Sequence, residues 1–390
     1  MVPGIASVRP LRVDLPIRAH SHCVETSLDT ARMSACATDL TAIGATDAIF
    51  AAFQPYDARG LLLGRVSVVH SDRYRIYTAA GEMTAEAIGA LLYRTEKPGW
   101  PAVGDWVAVQ ALGPDEGMIH AVLPRRSMFS RRAAGDREQE QIIAANIDLA
   151  LIVCGLDQDF NVRRIERYLT LAHASGVDAA IVLNKSDVCA DLSTRLGEAT
   201  RVAGGAPVVA ITARSEQGVE PVLRLVRPGL TMALLGSSGV GKSTLVNRLL
   251  GEERQLVREV REGDSRGRHT TTYRELLPLR QGGALIDTPG MRELQLWAGQ
   301  DSLDSAFAEI AELAGRCRFR DCSHVVEEGC AVQAAIEAGE LDASRWESYR
   351  KLRAEIAWHA RQTDVQAAQA QKKKWKAIHK AMRVDHKRGR

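Results

Sequence analysis

A nine-residue glycine-rich loop, Gly236–Thr244, limits the folds open to this chain more than any other segment. Its sequence, GSSGVGKST, directly follows the apolar run LTMALL and opens into TLVNRLLG, which has helical composition. A strand, a glycine turn and a helix in this order form a phosphate-binding loop, in which backbone N–H groups and a helix N-terminus converge on phosphate oxygens. The sequence therefore predicts an α/β domain with a phosphate site at the end of a buried strand.

The residue types of this loop assign individual roles. Lys242 is expected to reach the β- and γ-phosphates, and Ser243 to hold Mg²⁺. The other residues expected to line the nucleotide are Gly236, Ser237, Ser238, Gly239, Val240, Gly241 and Thr244.

A second motif predicts which base is bound. The tetrapeptide of Asn184, Lys185, Ser186 and Asp187 follows the apolar run AAIVL. The Asp187 carboxylate can accept from both N1–H and the exocyclic amine of guanine, a pair of donors that adenine lacks. Asn184 is expected either to bond the purine edge or to brace the loop, and the Lys185 stem to cover the base. The predicted ligands are therefore GTP and GDP.

A third motif, DTPG at 287–290, follows the apolar run GALI. Asp287 is expected to act on Mg²⁺ through water, and the Gly290 N–H to meet the γ-phosphate. Between this motif and the phosphate loop, Thr271 or its neighbour Thr270 is predicted to complete the Mg²⁺ coordination when the γ-phosphate is present.

The residue after DTPG is Met291, not the glutamine that orients the attacking water in many GTPases. A thioether cannot orient water in this way, so we expect slow turnover by the protein alone. His269 is the candidate for the water-positioning group, and Arg268 or Arg266 could instead stabilise charge on the γ-phosphate. The alternative for both arginines is that they are solvated residues of the segment between the phosphate loop and DTPG.

The order of the motifs is unusual. The guanine motif at 184 precedes the phosphate loop at 236, whereas ordinary GTPases have the opposite order. Apolar runs alternate with helical spacers from about Asn146 to Leu296, as in a doubly wound sheet. The sequence thus predicts a circularly permuted GTPase domain, which is tolerable because domain termini tend to lie close together.

Two further modules flank this domain. Short β-rich runs from about Gly60 to Leu123 predict a five-stranded OB-type barrel. On the other side, Cys317, Cys322, His324 and Cys330 lie within fourteen residues. Three thiolates and an imidazole satisfy a closed tetrahedral Zn²⁺ site of structural type, whereas reduced buried cysteines are the alternative.

These motifs, in this order and between these modules, resemble the RsgA (YjeQ/EngC) family of circularly permuted bacterial GTPases, which act late in assembly of the small ribosomal subunit. The resemblance covers roughly residues 58 to 360. It implies an OB domain and a zinc domain that both contact the subunit, and GTP hydrolysis that is slow alone and stimulated by the subunit. The family's zinc ligands correspond to Cys317, Cys322, His324 and Cys330, and its nucleotide residues to 184–187 and 236–244.

The expected organisation has five parts. They are a weakly ordered extension (1–55), an OB barrel (56–128), the permuted GTPase domain (129–298), a mainly helical zinc-binding domain (299–362) and a basic tail (363–390). From residue 345 to 390 there are fourteen Lys/Arg against four Asp/Glu, a local charge of +10, so the rest must sum to −7 to give the total of +3. A basic tail on a mildly acidic body favours a polyanionic partner such as rRNA.

No apolar run approaches the ~18–20 residues that cross a bilayer, and the N-terminus lacks the apolar centre of a secretory signal. We therefore expect a cytoplasmic protein, by default a monomer, without a membrane partner.

One alternative to a GTP-hydrolysing assembly factor is an rRNA-binding assembly module whose nucleotide site only regulates binding. Another is an ATPase or small-molecule kinase, which Asp187 disfavours.

Overall fold

The computed structural model describes most of the chain between the two termini. The described residues are 38–70, 72–94, 99–132, 140–157, 159–215, 217–251, 274–287, 300–325 and 327–357. The basic tail predicted for 363–390 lies outside them, as do the segments 252–273 and 288–299.

The first described residues form a turn and a helix, α1 (Asp47–Asp57), rather than the weakly ordered extension expected up to residue 55. The turn is tied to two later loops, because the Ala42 carbonyl accepts from the backbone N–H of both Gly229 and Gly283, at 3.0 and 2.7 Å. Ile49 and Phe53 of α1 are buried in the core. This segment is held in place by residues far away in the sequence, which explains why its own sequence pattern did not predict the helix.

A closed five-stranded β-barrel follows, as predicted. Its strands are β1 (Leu62–His70), β2 (Arg73–Thr78), β3 (Gly81–Ala87), β4 (Trp106–Ala111) and β5 (Glu116–Val122), with the short helix α2 (Gly89–Arg94) before β4. They pair in the order β1-β2-β3-β5-β4, and β4 returns to β1 to close the barrel. The strand β3 is rich in Glu and Ala, which are depleted in strands, and its pairing with β2 over six residue pairs holds it in place.

Past a two-stranded ribbon of β6 (Met128–Arg132) and β7 (Glu140–Ala145), the chain builds a mostly parallel sheet. Its strands, in spatial order, are β10 (Val208–Ala210), β9 (Asp178–Asn184), β8 (Leu149–Gly155), β11 (Thr231–Leu235), β13 (Ala284–Asp287) and β12 (Glu275–Pro278). Of these six described strands, β12 alone runs opposite to the others. Strands β8 and β9 precede β11 in the chain yet continue the same parallel sheet, as a permuted domain requires.

Helices cover both faces of this sheet. They are α3 (Val162–Ala174), α4 (Leu192–Val202), α5 (Glu220–Leu223) and α6 (Lys242–Leu250), with 3₁₀ turns at Ser186–Val188 and Gln217–Val219. Adjacent residues of β8 point to opposite faces, so Ile152 belongs to the buried cluster that includes Ile165 of α3, while Leu151 belongs to the cluster that includes Leu245 of α6. Burial on both faces explains the continuous apolar runs of the sequence.

The barrel and the parallel sheet share a polar joint. The strands β1 and β12 pair at Val68 and Glu275. The Arg65 side chain is buried and donates from Nη2 to the Thr231 hydroxyl at 2.9 Å, at the start of β11. Its guanidinium also lies 4.9 Å from the centre of the Trp106 ring. A barrel side chain therefore fixes the strand that leads into the phosphate loop.

The C-terminal part is helical, as predicted, with α7 (Gln300–Ala306), α8 (Ala308–Ala314), α9 (Ala331–Glu337) and α10 (343–357). The Cys/His cluster lies between α8 and α9. In the part of the chain that the structure describes, no helix has both the length and the apolar character needed to span a bilayer.

Candidate nucleotide and metal sites

The phosphate loop has the conformation that its glycines predict. The strand β11 is buried along its whole length and ends at Leu235, and α6 begins seven residues later at Lys242. Gly236 has φ 148°, and a Cβ there would lie 2.3 Å from the Val153 carbonyl oxygen of β8. Only glycine tolerates both this conformation and this close approach. The loop therefore leaves the strand with its backbone packed directly on the neighbouring strand.

The Lys242 ammonium lies over this loop. Its Nζ donates to the carbonyl oxygens of Gly236 and Ser237, at 2.9 and 2.5 Å. Lys242 is the first residue of α6, and Ser243 follows it. The cation is thus held at the start of the loop, and the N-terminus of α6 lies at the loop's other end, where a phosphate binds favourably.

Asn184 joins the base-reading loop to the phosphate loop. It is the last residue of β9 and is 3% exposed. Its Nδ2 donates to the Val240 carbonyl at 2.8 Å, and its Oδ1 accepts from the Ala213 N–H at 3.0 Å. In this structure Asn184 therefore braces the base-reading loop against the phosphate loop. A Cβ on Gly241 would lie 2.3 Å from the same Nδ2, so this joint also requires a glycine.

The rest of the base-reading loop turns sharply after β9. Lys185 adopts the left-handed conformation with φ 66°, and its Nζ forms an ion pair with Asp157 at 2.5 Å. Ser186 hydrogen-bonds to the Thr212 hydroxyl through its own, at 2.8 Å. Asp187 lies in the following 3₁₀ turn with its side chain exposed to solvent. Its carboxylate is therefore accessible to a base, while its neighbours in the motif hold the loop.

Asp287 ends the strand beside the phosphate loop. It is the last residue of β13 and is buried. The register pairs Ala233 of β11 with Ile286, so Asp287 lies level with the end of β11. An acid in this position fits a contact with Mg²⁺ through water. His269, Thr270, Thr271 and Gly290, together with Arg266, Arg268 and Met291, lie outside the described residues.

Two site neighbours were not identified from the sequence. Asp157 pairs with Lys185, as above. Arg164 of α3 donates from Nη1 to the Ser237 hydroxyl inside the phosphate loop at 2.5 Å. Neither belongs to a recognised motif, and both contacts join segments distant in the chain. Only the sheet order, in which β8 lies between β9 and β11, could have suggested them.

The four residues of the Cys/His cluster converge. The Sγ atoms of Cys317, Cys322 and Cys330 and a ring nitrogen of His324 all lie within 4.8 Å of one another. His324 Nδ1 is 3.4 Å from Cys317 Sγ and 3.5 Å from Cys330 Sγ, and these two sulfurs are 4.0 Å apart. A tetrahedral Zn²⁺ site with its usual bond lengths needs separations of about 3.6 Å (S to N) and about 3.8 Å (S to S). The donor set and its spacing therefore fit zinc.

Neighbouring groups orient two of these ligands. His324 has φ 59°, and its carbonyl accepts from Gln333 Nε2 at 2.6 Å. Its ring packs edge-on against Trp346 of α10, with centroids 5.6 Å apart. Burial lowers the pKa of His324, which favours the neutral imidazole that binds metal. Cys330 precedes α9 and accepts from the Gln333 N–H at 3.5 Å.

The helices around this cluster dock on α3 of the parallel-sheet domain. Arg345 of α10 is 9% exposed, and its Nη1 pairs with Glu166 of α3 at 2.8 Å. The Arg345 side chain also pairs with Glu309 and donates to the Ala306 carbonyl at 3.1 Å. Its guanidinium lies 4.5 Å from the centre of the Phe307 ring. One arginine thus joins α3, the α7–α8 corner and α10.

Comparisons with known proteins support this architecture. The family model described as RsgA GTPase matches residues 122–297. The small ribosomal subunit biogenesis GTPase RsgA of Opitutus terrae is 47% identical over 357 residues, covering 88% of this chain and 97% of that protein. The protein of the same name from Xylella fastidiosa strain 9a5c is 54% identical over 65% of this chain and 73% of its own length.

Two solved structures share the fold. The crystal structure of YjeQ from Thermotoga maritima matches with a TM-score of 0.59 and 26% identity, over 76% of this chain and 99% of that one. The crystal structure of YloQ, a circularly permuted GTPase, matches with a TM-score of 0.57 and 23% identity, over 77% and 96%. The second likeness concerns the fold alone. Both extend well beyond the 176 residues that the family model matches.

Proposed function

Since the chain belongs to the RsgA GTPase family, we propose that it hydrolyses GTP in the biogenesis of the small ribosomal subunit, and that the subunit stimulates this hydrolysis. The observation that carries the nucleotide part is the Asn184 brace, which joins the base-reading loop to the phosphate loop at Val240 although their order in the chain is reversed. The relatives named for small-subunit biogenesis support the partner.

We assign the nucleotide contacts as follows. Asp187, exposed in the middle of its 3₁₀ turn, reads the guanine edge. Lys242 leaves its two carbonyl partners to meet the β- and γ-phosphates. Ser243 and Asp287 hold Mg²⁺, with Thr271 as a further ligand when GTP is bound. Gly290 contacts the γ-phosphate, and His269 positions the attacking water.

A structural Zn²⁺ completes the C-terminal module. Cys317, Cys322, His324 and Cys330 would hold it in a closed site, with no position left for a reacting water. Its contribution is folding energy, because the described residues between α8 and α9 include no buried apolar side chain outside the ligands.

The proposed partner is the small subunit and its rRNA. We propose that the protein binds them in the cytoplasm as a monomer. The barrel, the zinc module and the +10 charge between residues 345 and 390 supply the contacts. Recognition of folded RNA relies mainly on phosphates, shape and exposed bases, so subunit binding should weaken steeply with salt.

The decisive experiment is GTP turnover by the purified protein, alone and with purified small ribosomal subunits. ATP in place of GTP controls for base choice, and Lys242→Ala controls for contaminating activity. We expect slow turnover that the subunits accelerate and that the variant lacks. Unchanged turnover with subunits bound would instead favour an rRNA-binding module whose nucleotide site only regulates binding. Strong competition by ATP would contradict the assignment of Asp187.

A further inference from the structure

Helix α3 contacts the phosphate loop through Arg164. Its Nη1 donates to the Ser237 hydroxyl at 2.5 Å and to Asp159 Oδ1 at 2.6 Å. Ser237 is buried and directly follows Gly236, so this hydrogen bond joins α3 to the start of the phosphate loop. A guanidinium already held by a carboxylate thus fixes the loop from the side of α3.

The same helix contacts the C-terminal module within one further turn. Glu166 pairs with the buried Arg345 at 2.8 Å. Arg167 forms a two-pronged pair with Glu355 of α10, at 2.7 and 2.8 Å. Charged pairs of this forked geometry are among the more specific contacts in proteins. The module is therefore attached to the part of α3 that carries Arg164.

Both sets of contacts lie within four consecutive residues, 164–167, of one continuous helix. Asn161 caps its first turn by accepting from the Arg164 N–H at 3.2 Å. Ile165 and Leu169 are buried against the sheet. A short helix packed in this way shifts as a unit, because a close-packed interface transmits displacement instead of absorbing it.

We propose that Arg164 is a positioning residue of the phosphate loop and that α3 couples this loop to the C-terminal module. Docking of the module holds α3 where Arg164 supports the loop, and a nucleotide on the loop in turn tightens the docking of the module. The two effects are equal in size because coupling between two binding events is reciprocal. This inference rests on the nucleotide site proposed above but requires neither the subunit nor turnover.

Affinity for GDP in the full-length protein, measured with a fluorescent GDP analogue and without ribosomes, tests the first half. Arg164→Met should raise the Kd about tenfold, as expected for loss of a hydrogen bond from a charged donor. Arg164→Lys should recover part of the loss. Arg163→Met, at the exposed neighbouring position, is the matched control and should leave the Kd unchanged.

A double-mutant cycle tests the coupling. Glu355→Gln weakens the pair with Arg167, which is one of the module's two described charged contacts with α3. Ser237→Ala removes only the hydroxyl at the loop and leaves Arg164 itself in place. Glu355→Gln should weaken GDP binding roughly threefold in the wild type, the scale of a half-exposed ion pair, and should have no effect in the Ser237→Ala protein. Equal effects in both backgrounds, or none in either, would overturn the coupling.

Hydrogen exchange in α10 distinguishes the coupling from a purely local role of Arg164, because a local role would leave exchange in α10 unchanged. GDP should slow amide exchange in α10 of the wild-type protein and leave it unchanged in Ser237→Ala. Slowing of equal size in both proteins would overturn the relay. Failure of the wild-type protein to bind GDP would contradict the proposed nucleotide site itself, so the two failures are distinguishable.

Discussion

Asn184 and Val240 are fifty-six residues apart in the sequence, yet the Asn184 side-chain amide donates to the Val240 carbonyl at 2.8 Å. The contact joins the loop that reads the base to the loop that holds the phosphates. The two motifs stand in reversed order along the chain, and this contact brings them together in space. The nucleotide site is therefore one unit in space although its two halves are exchanged along the chain.

The first prediction concerns this joint. Asn184→Ala would leave the Val240 carbonyl and the Ala213 N–H buried without their partner, at about 1–3 kcal/mol each. We expect GDP affinity to fall more than tenfold and the free energy of unfolding to fall by about 2 kcal/mol or more. Fluorescent-GDP titration and urea unfolding measure the two effects.

The control for this prediction is Asp191→Ala, which removes the N-cap of the nearby helix α4, where Asp191 accepts from the Thr194 N–H at 3.0 Å. It should lower stability slightly and leave the GDP affinity within twofold. An Asn184→Ala protein that binds GDP as tightly as the wild type would show that the brace does not organise the site.

The second prediction concerns the choice of base. Asp187→Asn replaces one carboxylate oxygen by an NH₂ donor, which matches the C2 carbonyl of xanthine in place of the C2 amine of guanine. The preference should change from GDP to XDP, by at least tenfold in the ratio of the two dissociation constants. Because the Asp187 side chain is exposed, the substitution should change the preference without changing the free energy of unfolding. Asp157→Asn weakens the Lys185 pair and keeps an oxygen that can accept from the Asp159 N–H. It should weaken the binding of both nucleotides together without changing the preference.

The sequence predicted those parts of the molecule whose residues lie close together in the chain. Three local patterns each indicated one kind of site: the phosphate loop, the base-reading loop and the Cys/His cluster. The continuous apolar runs predicted the parallel strands β8, β9 and β11. The structure confirms the five-stranded barrel and the permuted sheet. The comparisons show a GTPase family, whereas the individual nucleotide and metal ligands stay predictions.

Contacts between distant segments could not be predicted in this way. The turn at 38–46 and the helix α1 are held by hydrogen bonds that the Ala42 carbonyl accepts from Gly229 and Gly283. Both donors lie far from Ala42 in the sequence. Arg164 belongs to an ordinary amphipathic helix, and nothing in its neighbourhood in the sequence indicates the phosphate loop. Such residues become visible only when the sheet order brings their segments together.

The third prediction concerns the metal. The purified protein should contain about one zinc per chain, and Cys317→Ser or Cys330→Ser should lose it. The matched control is Cys189→Ser, a half-buried cysteine outside the cluster, which should keep its zinc. Elemental analysis measures the content. Removal of zinc by a strong chelator should also accelerate hydrogen exchange between residues 308 and 337, because the ligands hold α8 against α9. Full zinc content in both ligand variants would exclude this cluster as the site.

The last prediction concerns the buried pair of Arg345 and Glu166, which are 9% and 2% exposed at their side chains. Arg345→Met would leave the Glu166 carboxylate buried beside α10 without its cation, a change that costs about 3–5 kcal/mol in buried pairs of this kind. We expect α10 to exchange its amide hydrogens much faster and the protein to unfold at a lower urea concentration.

Replacing both partners should be much less harmful, because the cost in the single variant comes mainly from the unpaired charge and not from loss of the attraction. Arg345→Met combined with Glu166→Leu should therefore recover most of the stability. Arg350→Met, which breaks an exposed pair with Glu347 on the same helix, should change little. A double variant no more stable than Arg345→Met alone would show that the remaining contacts of Arg345, with Glu309, the Ala306 carbonyl and the Phe307 ring, dock the module instead.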